Sequence, residues 1–282
     1  MAQGFDFTIW NQQLARLINH QASPDAWQQL DTLIAQLCHF DDIAVLLFQQ
    51  GISPDLIYYR GSRAEQRLVT DIYLDGLYVL DPFYLNAVQN NYGLKTLTDI
   101  TPKGFYQGDL FELYYQPSGI SDEAGFLVPL DAHSFILCSL SRIQPSVNFS
   151  DKEKDQLLQI DPLIAAICQQ IWSLQDLKSS EPIQPLHNQI IEVLHSFGSS
   201  LLTDRESEVI HRILRGYSAQ AIADDLEISI NTVKLHRKNA YAKLDLSSQN
   251  ELFHMFLDSL SCVTESTSID PLISYLSVPE RT

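Results

Sequence analysis

Residues 202–257, LTDRESEVIHRILRGYSAQAIADDLEISINTVKLHRKNAYAKLDLSSQNELFHMFL, repeat apolar side chains at helical spacing in four short runs with turn residues between them. Val209, Ile210, Ile213 and Leu214 share one face of a first helix, and Gly216 offers the flexible stop it needs. Ile222, Ala223 and Leu226 mark a second helix. A third can start at Ser229, whose hydroxyl accepts from first-turn amides, and it carries Thr232, Val233, Lys234, His236, Arg237, Lys238 and Lys243. Val233, Ala240 and Leu244 fall on one face and can dock on the scaffold helices, which leaves Lys234, Leu235 and Lys238 pointing away, where a major groove would receive them. This is the layout of an all-α, DNA-reading module; the alternative is an ordinary solvated basic helix.

The ordered set LTDRESEVI, Gly216, AIADDLEIS, NTVKLH and KLDL resembles the LuxR (GerE-type) helix-turn-helix over roughly 55 to 60 residues. The resemblance implies that Lys234, Leu235 and Lys238 face base edges, with Thr232, His236, Arg237 and Lys243 near phosphates. The chain departs from the family pattern at Ala221, where an acid is usual, at Asp245, where Gly is usual, and at Gln249, where Arg is usual. The first and third departures remove a polar pairing that ties helices together.

Charge constrains how such a module can bind. The chain has 35 acids against 18 bases and a net charge of −17, and residues 200–257 hold seven Lys and Arg against eight Asp and Glu. Four of those seven bases lie between Lys234 and Lys243, so the positive charge is local. Acidic flanks weaken attachment driven by phosphate neutralisation alone. We therefore expect a homodimer on a double-stranded operator of two half-sites, with binding that falls steeply as salt rises.

At 282 residues and 45% apolar content the chain can bury about two cores. No long apolar run and no signal-peptide start is evident, which predicts a cytoplasmic protein away from membranes. Cys38, Cys138, Cys168 and Cys262 are far apart with no C-x-x-C spacing, and reduced core thiols are expected.

Ahead of the basic module, residues 5–20 and 25–39 read as helices, the second starting at Ser23-Pro24 with a stripe of Trp27, Leu30, Leu33, Ile34 and Leu37. IAVLLFQQ (43–50) and LIYYR (56–60) are strand-like around the turn Gly51-Ile52-Ser53-Pro54. Residues 63–90 alternate between helix-like runs broken at Asp81-Pro82, and GDLFELYYQ (108–116) reads as another helix. DEAGFLVPL (122–130) and HSFILCSLSR (133–142) pair as a hairpin before a long helix from Ser150. The fold class is therefore α+β: an antiparallel sheet with helices on both sides over residues 1–177, a linker and short helix over 178–198, the all-α four-helix module over 199–260, and a tail over 261–282.

The order of elements from about residue 40 to 175 resembles the GAF/PAS-like α-β-α sandwich of small-molecule sensors, and in particular the autoinducer-binding domain. Asp81-Pro82-Phe83, Gly119-Ile120-Ser121 and the run from Gly125 to Leu130 carry that resemblance. In that family the Asp before Pro accepts from the ligand amide, a role the resemblance implies for Asp81; helix capping explains the same residue. RLVTDIYLDGLYVLDP has no Trp, and its tyrosines fall off the family spacing, so the effector implied is a small amphipathic molecule other than a standard acyl-homoserine lactone. Tyr58, Tyr73, Phe83, Tyr84, Tyr115 and Phe126 supply candidate pocket walls, since tyrosine pairs an apolar body with a polar tip.

Ser150-Asp151-Lys152-Glu153 fits a capping box, and Leu157, Ile160, Ile164, Ile167, Ile171 and Leu174 follow at three- and four-residue steps. That seam is read as a dimerisation helix closing residues 1–177 and pairing with a second chain, with packing on the chain's own sheet as the alternative; Pro162 inside it allows two helical pieces or intramolecular packing. No catalytic motif or metal-ligand cluster is present, so neither an enzyme nor a cofactor is expected. The sequence predicts a ligand-responsive regulator that contacts RNA polymerase, or a regulator whose N-terminal domain binds a protein partner instead.

Overall fold

The structure, a computed structural model, describes residues 6–49, 53–62, 73–74, 76–108, 110–175, 194–261 and 270–276. The chain forms two compact units. The first comprises Met1–Asp75, Phe83–Ile100 and Ser118–Ile183, and the second Gly76–Pro82, Thr101–Pro117 and Gln184–Thr282. The proposed linker 178–185 and Cys262 lie outside the described residues.

In the first unit, α1 (Phe7–Asn19) and α2 (Ala26–Ile34) precede β1 (Asp42–Gln49) and β2 (Asp55–Arg60). Then come α3 (Pro82–Val88), β3 (Gly93–Thr96), α4 (Leu97–Ile100), β4 (Ile120–Pro129), β5 (Ser134–Ile143) and α5 (Asp151–Leu174). The strands make one antiparallel sheet in the order β2-β1-β5-β4-β3. Alternation sorts their side chains. Ile43, Val45 and Leu47, Ala124, Phe126 and Val128, and Ile136, Cys138 and Leu140 line one face and share a core with residues of α1, α2 and α5. Phe48 and Phe135 stack at 4.6 Å on the other face, with Tyr84 of α3 5.4 Å from Phe48.

The α5 seam packs on the chain's own sheet. Leu157, Ile164, Ile167 and Ile171 are buried in that core and Ile160 packs against it, whereas Leu174 stays exposed. Of the two readings of the seam, these residues follow the intramolecular one. The helix runs unbroken through Pro162. The ladder bond that proline cannot make is to the carbonyl of Leu158, a residue 58% exposed, so the loss falls on the outward side. By length and composition α5 could cross a membrane; its apolar face covers the sheet. Cys38, Cys138 and Cys168 are buried and free, and burial pushes the Cys38 and Cys168 thiols up to about 12 and that of Cys138 well above its usual value. Thiols so protonated are poor nucleophiles.

The second unit holds α6 (Asp204–Leu214), α7 (Ala219–Asp225), α8 (Ile230–Leu244), α9 (Gln249–Ser261) and α10 (Pro271–Leu276). Each of the first three starts at a hydroxyl cap: Thr203 accepts from the Glu206 amide, Ser218 from Ala221 and Ser229 from Thr232. Gly216, at φ +81°, ends α6 in a Schellman turn, its amide donating to Ile213 and that of Tyr217 to Arg212. Asp245 does the same left-handed work after α8 at φ +56°, where glycine would carry no Cβ penalty. The tail contributes more than sequence suggests: buried Asp270 accepts from the amides of Gly198 and Ser200, 2.9 and 2.8 Å away.

Residues Thr101–Pro117, assigned by position to the sensor sandwich, pack within this second unit. Phe105 sits at the centre of an aromatic knot with Tyr106, Phe111 and Tyr115, at ring separations of 5.8, 6.0 and 5.4 Å. Residues Phe111–Tyr115 coil as a π-helical turn in place of the regular helix expected over 108–116.

Candidate nucleic-acid interface

Helix α8 presents two chemically distinct sides. Val233, Ala240 and Leu244 are buried, as their spacing requires, while Lys234, Leu235 and Lys238 are exposed. Leu235 is 55% exposed, and an apolar side chain held in water between two lysines suits contact with a thymine methyl. Thr232, His236 and Arg237 are half-buried at the flanks. An open groove of about 530 Å³ runs along this side, lined by Lys234, Arg237, Lys238 and Tyr241 and closed by Ser247, Ser248 and Gln249 at the start of α9. Three cations along one wall of such a groove can follow a phosphate backbone.

Lys243 is placed differently from the phosphate-facing role expected of it. Its ammonium lies 2.6 Å from the carboxylate of Glu206, which is buried on α6 and also accepts from the Thr203 amide at 2.8 Å. The Lys243 hydrogen bond and the Thr203 cap hold the Glu206 carboxyl below its ordinary range against the opposing effect of burial. Lys243 therefore ties the reading helix to α6. A second tie, Arg212 to Asp225 at 2.6 Å, joins α6 to α7. Neither pair lies where the Ala221 and Gln249 departures fall, and neither partner acid stands out in the sequence from its solvated neighbours.

The aromatic and acidic residues proposed for the effector are distributed. Tyr58 donates to Asp31 at 2.9 Å, which also holds Arg60 at 2.7 and 3.0 Å, and Phe126 belongs to the core under α5. Both lie on the helix-covered side, an outcome of strand alternation that counting aromatics misses. Phe83 and Tyr84 lie over the other face, where a Cβ on Gly125 would meet the Phe83 ring at 2.8 Å. Tyr73 is buried. Asp81 and Tyr115 fall in the second unit, Asp81 buried in extended conformation just ahead of α3 and Tyr115 in the aromatic knot.

A basic helix tied by an ion pair to the first helix of a four-helix module, following an antiparallel α+β sandwich in the chain, defines a two-domain helix-turn-helix regulator. The chain belongs to the LuxR family of bacterial regulatory proteins, whose family model matches residues 200–256. It is 32% identical over 187 residues to a protein of Aeromonas salmonicida from the exeN 3'region that is named as an HTH-type transcriptional regulator, spanning 64% of this chain and 94% of the relative. Its fold is similar to that of the VqsR LBD domain from Pseudomonas aeruginosa, with a TM-score of 0.51 and 25% identity over 59% of this chain and 98% of that one. SdiA of Escherichia coli aligns over 88% of this chain and 95% of its own, with a TM-score of 0.43 and 18% identity. The N-terminal unit is thus an autoinducer-binding-like domain, and the relatives are transcriptional regulators.

Proposed function

We propose that this protein controls transcription as an effector-responsive homodimer, each copy laying α8 in the major groove of one half-site. The observation that carries the reading is the division of α8: Val233, Ala240 and Leu244 buried, Lys234, Leu235 and Lys238 exposed. Two-fold symmetry of the dimer would be matched by an inverted repeat in the operator. Because the α5 seam is occupied by the chain's own sheet, pairing falls to other surfaces, such as the outward side of α5 with Leu158 and Leu174. Activation through RNA polymerase follows from the family resemblance.

The effector is a small amphipathic molecule, and Tyr73, Phe83 and Tyr84 of the first unit are the residues we assign to its recognition. A second reading, a protein partner in place of a small molecule, is favoured by one observation: Phe83 fills the sheet face at Gly125. Native mass spectrometry of the full-length protein separates these readings, since a dimer that releases a small molecule on denaturation supports the first. For the DNA interface, Lys234→Ala and Lys238→Ala should each cost roughly 1–3 kcal/mol of operator affinity with the fold intact. Undiminished footprints in both variants would remove α8 from the role given to it.

A further inference from the structure

Within the second unit, Thr101–Pro117 is seated on the turn between α6 and α7, the part of the module beside the reading helix. The fit is close. Gly108 lies so near Gly216 that a Cβ on it would stand 2.6 Å from the Gly216 carbonyl oxygen, and Phe105 presses its ring edge against Gly216, whose own Cβ would meet it at 2.9 Å. Leu110 reaches the same glycine, and Gly104 comes equally close to the Ser218 hydroxyl that caps α7. Beyond that cap, Gln107 shares a cavity of about 100 Å³ with Ser218, Ala219, Lys234 and Arg237. Phe105 is fully buried, so the contact is anchored through a large apolar side chain.

The position matters because helix-turn-helix docking sets the helix before the reading helix across the DNA backbone. Here that helix is α7, and the strap covers the turn that leads into it while holding Gln107 beside two cations of α8. We propose that Thr101–Pro117 is an autoinhibitory strap that competes with the DNA backbone for the start of α7 and the Lys234–Arg237 edge of α8. The strap is continuous in the chain with α4 on one side and β4 on the other, so a change in the sensor unit has a covalent route to it. Effector binding withdraws the strap. This last step rests on the effector-responsive reading above; the occlusion itself does not.

Gly108→Ala tests it with a single methyl group. Gly108 has φ −93° and ψ 160°, which alanine adopts freely, so the penalty is steric: its Cβ would stand 2.6 Å from the Gly216 carbonyl oxygen and, less severely, 3.0 Å from that of Phe105. The assay is fluorescence anisotropy with the full-length protein, no effector added, on duplexes selected in vitro from random sequence by wild type and variant. Gly108→Ala should bind at least fivefold tighter than wild type, within the 5–150-fold range of intramolecular coupling, and amides of residues 216–222 should exchange faster in the free protein. Phe105→Ala removes the anchor and should act in the same direction, and it decides the matter if Gly108→Ala does not fold. Unchanged or weaker binding in folded variants overturns the strap while leaving the DNA-binding reading in place. Failure of wild type and both variants to select any duplex overturns both.

Discussion

The Lys243 ammonium lies 2.6 Å from the carboxylate of Glu206, and that carboxylate also closes the cap at Thr203. One acid therefore fixes the start of α6 and holds the far end of α8 to it. Lys243→Ala leaves a buried carboxylate with only its Thr203 cap and should cost about 1–2 kcal/mol of stability in a urea melt. Because Glu206 already neutralises this lysine, the same change should reduce the salt dependence of DNA binding less than Lys238→Ala does. Equal losses of salt slope would return Lys243 to the phosphate contacts.

Leu235 offers a test of base reading without charge. Leu235→Ala should leave stability unchanged, since the side chain is 55% exposed, and should lower operator affinity by about 1 kcal/mol. The loss should concentrate at one A·T pair of each half-site, and replacing that thymine by uracil should reproduce it. A uniform loss across all sequences would place Leu235 outside direct readout.

Asp245 sits at φ +56° in a position that favours glycine. Asp245→Gly should raise stability by up to about 1 kcal/mol, the Cβ relief being partly offset by greater freedom of the unfolded chain, and Asp245→Val should lower it by more. Thermal melts of the two variants give opposite signs if the left-handed turn is as described.

His211 on α6 donates a hydrogen bond from Nε2–H to the Phe197 carbonyl at 2.9 Å. Burial lowers its pKa from 6.5, and the nearby His195, Arg215 and Arg212 push the same way, against the Phe197 carbonyl. The unfolded chain therefore takes up a proton near pH 6.5 that the folded one resists. Stability of this unit should be full above about pH 7 and should fall as pH drops through 6.5 towards the lowered folded value. His211→Gln keeps a donor to Phe197 and should flatten that dependence in urea midpoints measured between pH 5 and 8.

Strong periodicity made α6, α7 and α8 readable, because Val209, Ile213, Ile222, Val233 and Ala240 are buried at the spacing one helix face demands. The β4–β5 hairpin and the Ser150–Glu153 capping box were legible for the same local reasons. Strand β3, GLKT, was not: four residues at a sheet edge with a lysine among them give no run to recognise. Base-facing residues follow from helix phase alone. The place of Lys243 depends instead on Glu206, 37 positions away, and that of Tyr58 on Asp31, 27 positions away. Long-range pairing leaves no periodic trace. Thr101–Pro117 shows the same limit on a larger scale, since neighbours in sequence did not predict the unit in which it packs.

Asp270 reaches back 72 positions to the amide of Gly198, so the stretch that carries the reading helix is stitched shut across its two ends. Closing so long a loop lowers the number of ways either end can fray, and opening at one end first requires letting go of the other. A domain buckled in this way can take strain at its entry without unravelling from its exit, which is what a reader of DNA tethered to a second unit must endure.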